Sequence, residues 1–170
     1  MSDVSDSAAV IRRAGRDDVR SLGRLGALLV QEHHEFDSRR FLPATNRTLD
    51  GYASYLASQL DEPDAVILVA DAGEVIGYAY AALEGYDYML LRGPAALLHD
   101  LIVDPAHRGR GVGRLLLNTM LSTLQSRGAP RVVLSTAEQN SEAQRLFGRI
   151  GFRRTMVEMT RELDTSDSPR

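Results

Sequence analysis

The chain has 170 residues, of which 44% are hydrophobic and 25% charged, the proportions of an ordinary globular protein with one core. It contains no cysteine, which excludes a disulfide scaffold, a cysteine-based zinc site and a thiol nucleophile, and suits a reducing compartment. The formal net charge of −3 weighs against nonspecific nucleic-acid binding, which favours a basic surface.

The ends, residues 1–7 and 164–170, are rich in Ser and Asp and are expected to be flexible. Residues 8–163 are expected to form one domain. The first residues lack the pattern of a signal peptide, and the longest clean apolar run, 65–70, is too short to span a bilayer. A cytoplasmic protein without a membrane partner is expected.

Val10 and Ile11 open a short strand. Asp17 and Asp18 then place acid at a helix start, where the dipole favours it, and Val19, Leu22, Leu25, Leu28 and Leu29 follow at helical spacing. Residues 32–46 read as a loop or broken helix, punctuated by Pro43. Residues 49–60 form a second amphipathic helix, closed by Asp61-Glu62-Pro63. A buried strand is predicted at 65–70, a hairpin turn at Asp71-Ala72-Gly73-Glu74 and a partner strand at 75–83. A loop with Tyr86 and Tyr88 leads to a strand at 97–103. A long helix over 112–125 carries Leu115, Leu116, Thr119, Met120 and Leu124 on one side, and Gly128-Ala129-Pro130 stops it. A strand at 131–135, a helix at 141–150 ended by Gly151, and a final strand or hairpin at 153–162 complete the chain. Hairpins and crossover helices are mixed in this order. The expected fold is α/β, a single domain with a mixed, twisted sheet and helices on both faces.

The most informative segment is Arg108-Gly109-Arg110-Gly111-Val112-Gly113-Arg114, between a strand and a helix. Glycine there lets an anion approach the backbone, the helix N-terminus presents N–H groups, and the three arginines can add charge-assisted hydrogen bonds. The bland alternative is a tightly packed helix start with solvated arginines. A P-loop is excluded, because no G-x-x-x-x-G-K-[ST] string occurs. A dinucleotide fingerprint is excluded by spacing: Asp104 to Arg108 separate the strand from the first glycine, and Leu116 stands where the last glycine would fall.

The pattern Arg108-x-x-Gly111-x-Gly113, after a strand and before a long helix, resembles the signature [RQ]-x-x-G-x-[GA] of the GCN5-related N-acetyltransferase (GNAT) family. Leu98-His99-Asp100-Leu101-Ile102-Val103-Asp104-Pro105 is similar to the family's preceding strand. Asn140-Ser141-Glu142-Ala143-Gln144-Arg145-Leu146-Phe147, followed by Ile150-Gly151-Phe152, resembles its second motif. The likeness covers roughly residues 10–163. It implies acetyl-CoA as cosubstrate and direct acetyl transfer to a primary amine. In this resemblance the amides from Arg110 to Arg114 hold the pyrophosphate. The backbone of Leu101, Ile102 and Val103 pairs with the pantetheine arm, and Asn140, Ala143 and Phe147 line its other side. Asn140 also reads as a plain helix N-cap.

The family often places glutamate on the strand before the glycine turn, and the corresponding residue here is His99. Imidazole suits a base at neutral pH, and Asp100 is the second candidate. Strand alternation sends these two side chains to opposite faces. Both also have structural readings, as groups satisfied by neighbouring elements. The family's frequent general acid is a tyrosine at the position of Phe147, which has no proton to give; Tyr78, Tyr80, Tyr86 and Tyr88 are candidate replacements. The resemblance places the acceptor between residues 32–46 and 84–94. The first of these mixes acids and aromatics with Arg39, Arg40 and Arg47, so its sign is open. No metal is expected: His33 and His34 would point about 100° apart on a helix, with no spaced third ligand. The expected partners are a small-molecule or peptide amine and, by resemblance, a second copy in a homodimer. A silent acyl-CoA-binding module, a hydroxyl acceptor or another acyl-CoA, and a nucleotide-binding protein are the alternatives.

Overall fold

The computed structural model describes residues 9–163; the flexible ends expected at 1–7 and 164–170 lie outside the described residues. The elements run β1 (Val10–Arg13), α1 (Val19–Phe36), α2 (Thr48–Gln59), β2 (Ala65–Asp71), β3 (Val75–Glu84), β4 (Ala95–Val103), α3 (Val112–Ser126), β5 (Val132–Leu134) and α4 (Ser141–Ile150). They build one sheet in the order β1-β2-β3-β4-β5. The first three pairings are antiparallel and β4–β5 is parallel, joined by the crossover helix α3. The sheet is therefore mixed, as expected.

Its two faces are covered separately. On one face Leu22 and Leu25 of α1 and Leu56 of α2 pack on Ile67, Val69, Tyr78 and Ile102. On the other, Leu116, Leu117, Met120 and Leu124 of α3 and Phe147 of α4 pack on Val66, Leu68, Ala79, Leu98 and Val103. The buried stripe of α3 differs from the expected one at one turn: Leu115 is exposed and Leu117 takes the core position. Both choices are helical in period, and only the position of the sheet separates them.

Helix α1 continues through Glu32 to Phe36, past the expected break, because no Pro or Gly interrupts it before Asp37. Its glycines set the distance to α2. A Cβ on Gly23 would lie 2.6 Å from the Leu49 carbonyl oxygen and 2.7 Å from Ala53 Cβ; one on Gly26 would lie 2.1 Å from the Tyr52 ring. Gly23→Ala must move backbone, so a loss of about 1–3 kcal/mol is expected. Urea unfolding measures it, and an unchanged midpoint would contradict this close packing.

The strand or hairpin expected at 153–162 does not form; residues 152–163 have no regular secondary structure. A strand needs a ladder, and β5 offers only three residues. Side chains tie the segment down instead, through Arg39–Glu162 and Arg40–Glu158.

Candidate active site

β4 and β5 pair only at Ala96↔Val132, Leu97↔Val133 and Leu98↔Leu134, while β4 runs on to Val103 with its other edge held by β3. The strands part after Leu98. The β3–β4 register shows why they part there. Tyr80 pairs with Asp100 but Ala81 pairs with Leu98, so His99 is an extra, bulged residue. A bulge bends its strand and raises the local twist. It also breaks the alternation of side chains. His99 stacks on Tyr80, with ring centroids 5.0 Å apart, and Asp100 accepts a hydrogen bond from the Tyr78 hydroxyl at 2.8 Å. Tyr78 and Tyr80 both belong to the α1–α2 face. His99 and Asp100 therefore share a face, which corrects the expectation that they diverge.

The parted strands open a cleft. Leu98, His99 and Leu101 form its β4 wall, and Leu134, Ser135 and Thr136 its β5 wall. Asn140, Ala143 and Phe147 of α4 and Leu29 and His33 of α1 close it. Five predicted site residues thus meet there: His99, Leu101, Asn140, Ala143 and Phe147. Asn140 also caps α4, its side-chain oxygen accepting from the Ala143 N–H at 3.1 Å. Ile102 and Val103 are buried on opposite faces of β4.

The glycine turn starts α3. Gly111 is the N-cap, at φ 81°, and Gly109 has φ 77°. Both are left-handed conformations that other L-residues adopt at a cost, and a Cβ at either would meet nothing within 4 Å. No side chain caps α3, and its first helical bond runs from the Leu115 N–H to the Gly111 carbonyl. The N–H groups of Val112, Gly113 and Arg114 precede that bond, so the turn has the open, positively polarised shape an anion requires. Val112 is buried beneath it, and Gly113 packs near Leu146 and Val103. Arg110 and Arg114 are exposed. The Arg108 side chain turns inward instead: Nε donates to the Val103 carbonyl at 2.9 Å, and a terminal nitrogen meets Glu32 at 2.5 Å. It straps the end of β4 to α1.

His99 is half-exposed, with Nε2 3.8 Å from Glu84 Oε1. Glu84 is itself held by Arg92 at 2.7 Å. Asp100 is buried, and burial pushes its carboxyl above the ordinary aspartate range while the Tyr78 hydrogen bond opposes this. Burial likewise raises Tyr78 and Tyr52, its two phenol neighbours. A raised carboxyl favours the protonated form in the fold. That contribution to stability is complete below the ordinary aspartate value, about 3.9, and is lost as pH rises through the folded-state value. Asp100→Asn keeps an acceptor for Tyr78 and cannot ionise. It is expected to unfold at a higher temperature than the wild type at pH 8, with the difference shrinking toward pH 4. Parallel midpoints across this range would refute a buried, costly charge.

Sequence reasoning put His33 only within the broad acceptor segment 32–46 and gave it no role, although its spacing of four from Leu29 would have put both on one helical face. It also missed the roles of Tyr52 and Glu84. Among the described residues no group of acids and histidines could hold a metal ion, and no helix is long and apolar enough to cross a membrane.

A parallel strand pair thus opens beside an uncapped, glycine-led helix. The family model described as the acetyltransferase (GNAT) family matches residues 28–152, and the chain belongs to that family. Among curated proteins it is similar to a mycothiol acetyltransferase of Thermobispora bispora, 35% identical over 58% of this chain and 33% of that protein. It is also similar to a mycothiol acetyltransferase of Nocardioides sp., 30% identical over 82% of this chain and 48% of that protein. The chain spans about half the length, or less, of these relatives. Among solved structures, an aminoglycoside N-acetyltransferase in complex with CoA shares the fold, with TM-score 0.71, 18% identity, and coverage of 94% of this chain and 97% of that one.

Proposed function

We propose that this protein transfers an acetyl group from acetyl-CoA directly to a primary amine. The observation that carries the reading is the β4 edge left open beyond Leu98, which lines the cleft and ends at Val103 close to the uncapped start of α3. Acetyl-CoA, when bound, supplies an activated acyl group as a thioester. The amides from Arg110 to Arg114, on the Gly109–Gly111 turn, would hold its pyrophosphate. Leu101, Ile102 and Val103 would pair with its extended arm as an added strand, and Asn140, Ala143 and Phe147 would flank it. The match to the acetyltransferase family and the CoA complex of a protein with the same fold support this assignment.

An amine of pKa about 10.4 needs about 4.6 kcal/mol to lose its proton at pH 7. In this reading His99 Nε2 takes that proton. His99 stands in the cleft wall, with Glu84 Oε1 3.8 Å from its Nε2. Asp100 lies buried on the same face and does not itself line the cleft. Curated relatives named as mycothiol acetyltransferases support a small-molecule acceptor.

Calorimetric titration with acetyl-CoA, using NADH and ATP as controls, tests the cofactor assignment. Thiol release measured over a panel of primary amines and alcohols tests the reaction. Micromolar acetyl-CoA affinity with amine-dependent release is expected. A folded protein that does not bind acetyl-CoA would sink the proposal.

A further inference from the structure

Acetyl transfer, taken as read above, also needs a proton for the departing sulfur, and Phe147 in the cleft wall has none to give. The four tyrosines considered as substitutes do not fill the gap. Tyr78 is buried with its hydroxyl on Asp100, and Tyr80 donates to Gln59. Tyr86 and Tyr88 stack on each other in the exposed β3–β4 loop. None of the four lines the cleft. The titratable residues that do are His99 and His33.

His33 arrives from the last turn of α1 and lines the same cleft as His99. Its Nδ1 lies 2.8 Å from the Leu29 carbonyl oxygen. A carbonyl only accepts, so Nδ1 carries the hydrogen and the lone pair of the neutral ring is on Nε2. Phe36 and Phe41 meet the ring edge-on, at centroid distances of 6.0 and 5.0 Å. One tautomer and one orientation are thereby selected, the preparation a proton carrier requires.

We infer that His33 Nε2 carries the proton from the reacting nitrogen to the leaving sulfur. Forming the carbon–nitrogen bond leaves nitrogen with one proton too many. Breaking the carbon–sulfur bond leaves an electron pair on sulfur. Nε2 accepts the first proton as that N–H bond breaks, becomes imidazolium, and releases it to sulfur as the S–H bond forms. The imidazole is regenerated. His99 acts earlier, on the acceptor ammonium, so the two histidines handle two different protons.

The test uses CoA itself and needs no known acceptor. The thiol of protein-bound CoA is titrated by its thiolate ultraviolet absorbance in the wild type, His33→Gln and His99→Gln. A free thiol is taken as cysteine-like, with a pKa of about 8.5. In the wild type the bound thiol is expected to ionise roughly one pH unit or more lower, because an imidazolium at 33 pairs with the thiolate. His33→Gln is expected to abolish that shift, and His99→Gln to retain most of it. Nitrogen NMR of the wild type gives an independent reading, in which His33 shows the Nδ1–H tautomer and its ring signals move with CoA but not with ADP. If CoA binds and its thiol titrates alike in the wild type and His33→Gln, or His33 is blind to CoA, the inference is overturned while the acetyl-CoA assignment stands. If CoA does not bind, the acetyl-transfer reading fails and takes this one with it.

Discussion

Gly111→Glu is expected to weaken acetyl-CoA binding at least ~100-fold, about 2.7 kcal/mol, in a protein that still folds. Two effects add. A left-handed residue other than glycine costs roughly 1–2 kcal/mol at φ 81°, which pulls the turn away from its anion-binding shape. The carboxylate also stands where a pyrophosphate would sit and repels it. The fold is spared because a negative charge near a helix N-terminus is favourable, offsetting about 0.3–1 kcal/mol of the strain. Nothing lies within 4 Å of the new Cβ to clash with it. Gly111→Ala carries the strain without the charge and should lose less affinity. Calorimetry on all three proteins, with circular dichroism as the folding control, decides the matter. Wild-type affinity in Gly111→Glu would show that the α3 turn binds no phosphate.

His99→Ala is expected to lower the amine-dependent turnover by ~10²–10⁴-fold while acetyl-CoA affinity stays within about two-fold. The size follows from the free energy of deprotonating an ammonium at pH 7, most of which the base must supply. The loss should shrink as pH approaches the amine's own pKa, where free amine is abundant. This pH dependence separates a base from a packing role. A structural loss from removing the Tyr80 stack would be flat with pH. Turnover unchanged at pH 7 would remove His99 from the proton path.

Much of this could be read from the residues in order. The β2–β3 hairpin turn, the α3 start and the Gly151 stop of α4 are local events, written in glycine positions and a few polar neighbours. Gly73 at φ 95° and Gly151 at φ 104° adopt the conformations their contexts required. The family motifs were legible for the same reason, since each lies within one strand–turn–helix unit. Misreadings arose where a neighbour far along the chain decides. Residues 153–162 have a strand-like composition, but no described strand pairs with them. The contact of Arg108 with Glu32, brought over by α1, is likewise one that no local pattern announces.

The sequence by itself determined the order of the elements as far as α4, the mixed sheet and the glycine-led start of α3, because periodicity, capping and glycine conformation depend on residues close in the chain. Only the tertiary structure decided the chemistry of the cleft. The bulge at His99 exists because β3 and β4 pair in a register that leaves one residue over, and that register belongs to two strands together. It turns His99 and Asp100 to one face and parts β4 from β5. The close α1–α2 packing at Gly23 and Gly26 holds the helix that brings His33 into the cleft lining. A histidine at position 33 and another at 99 have no relation in sequence; packing brings both to the lining of one cleft.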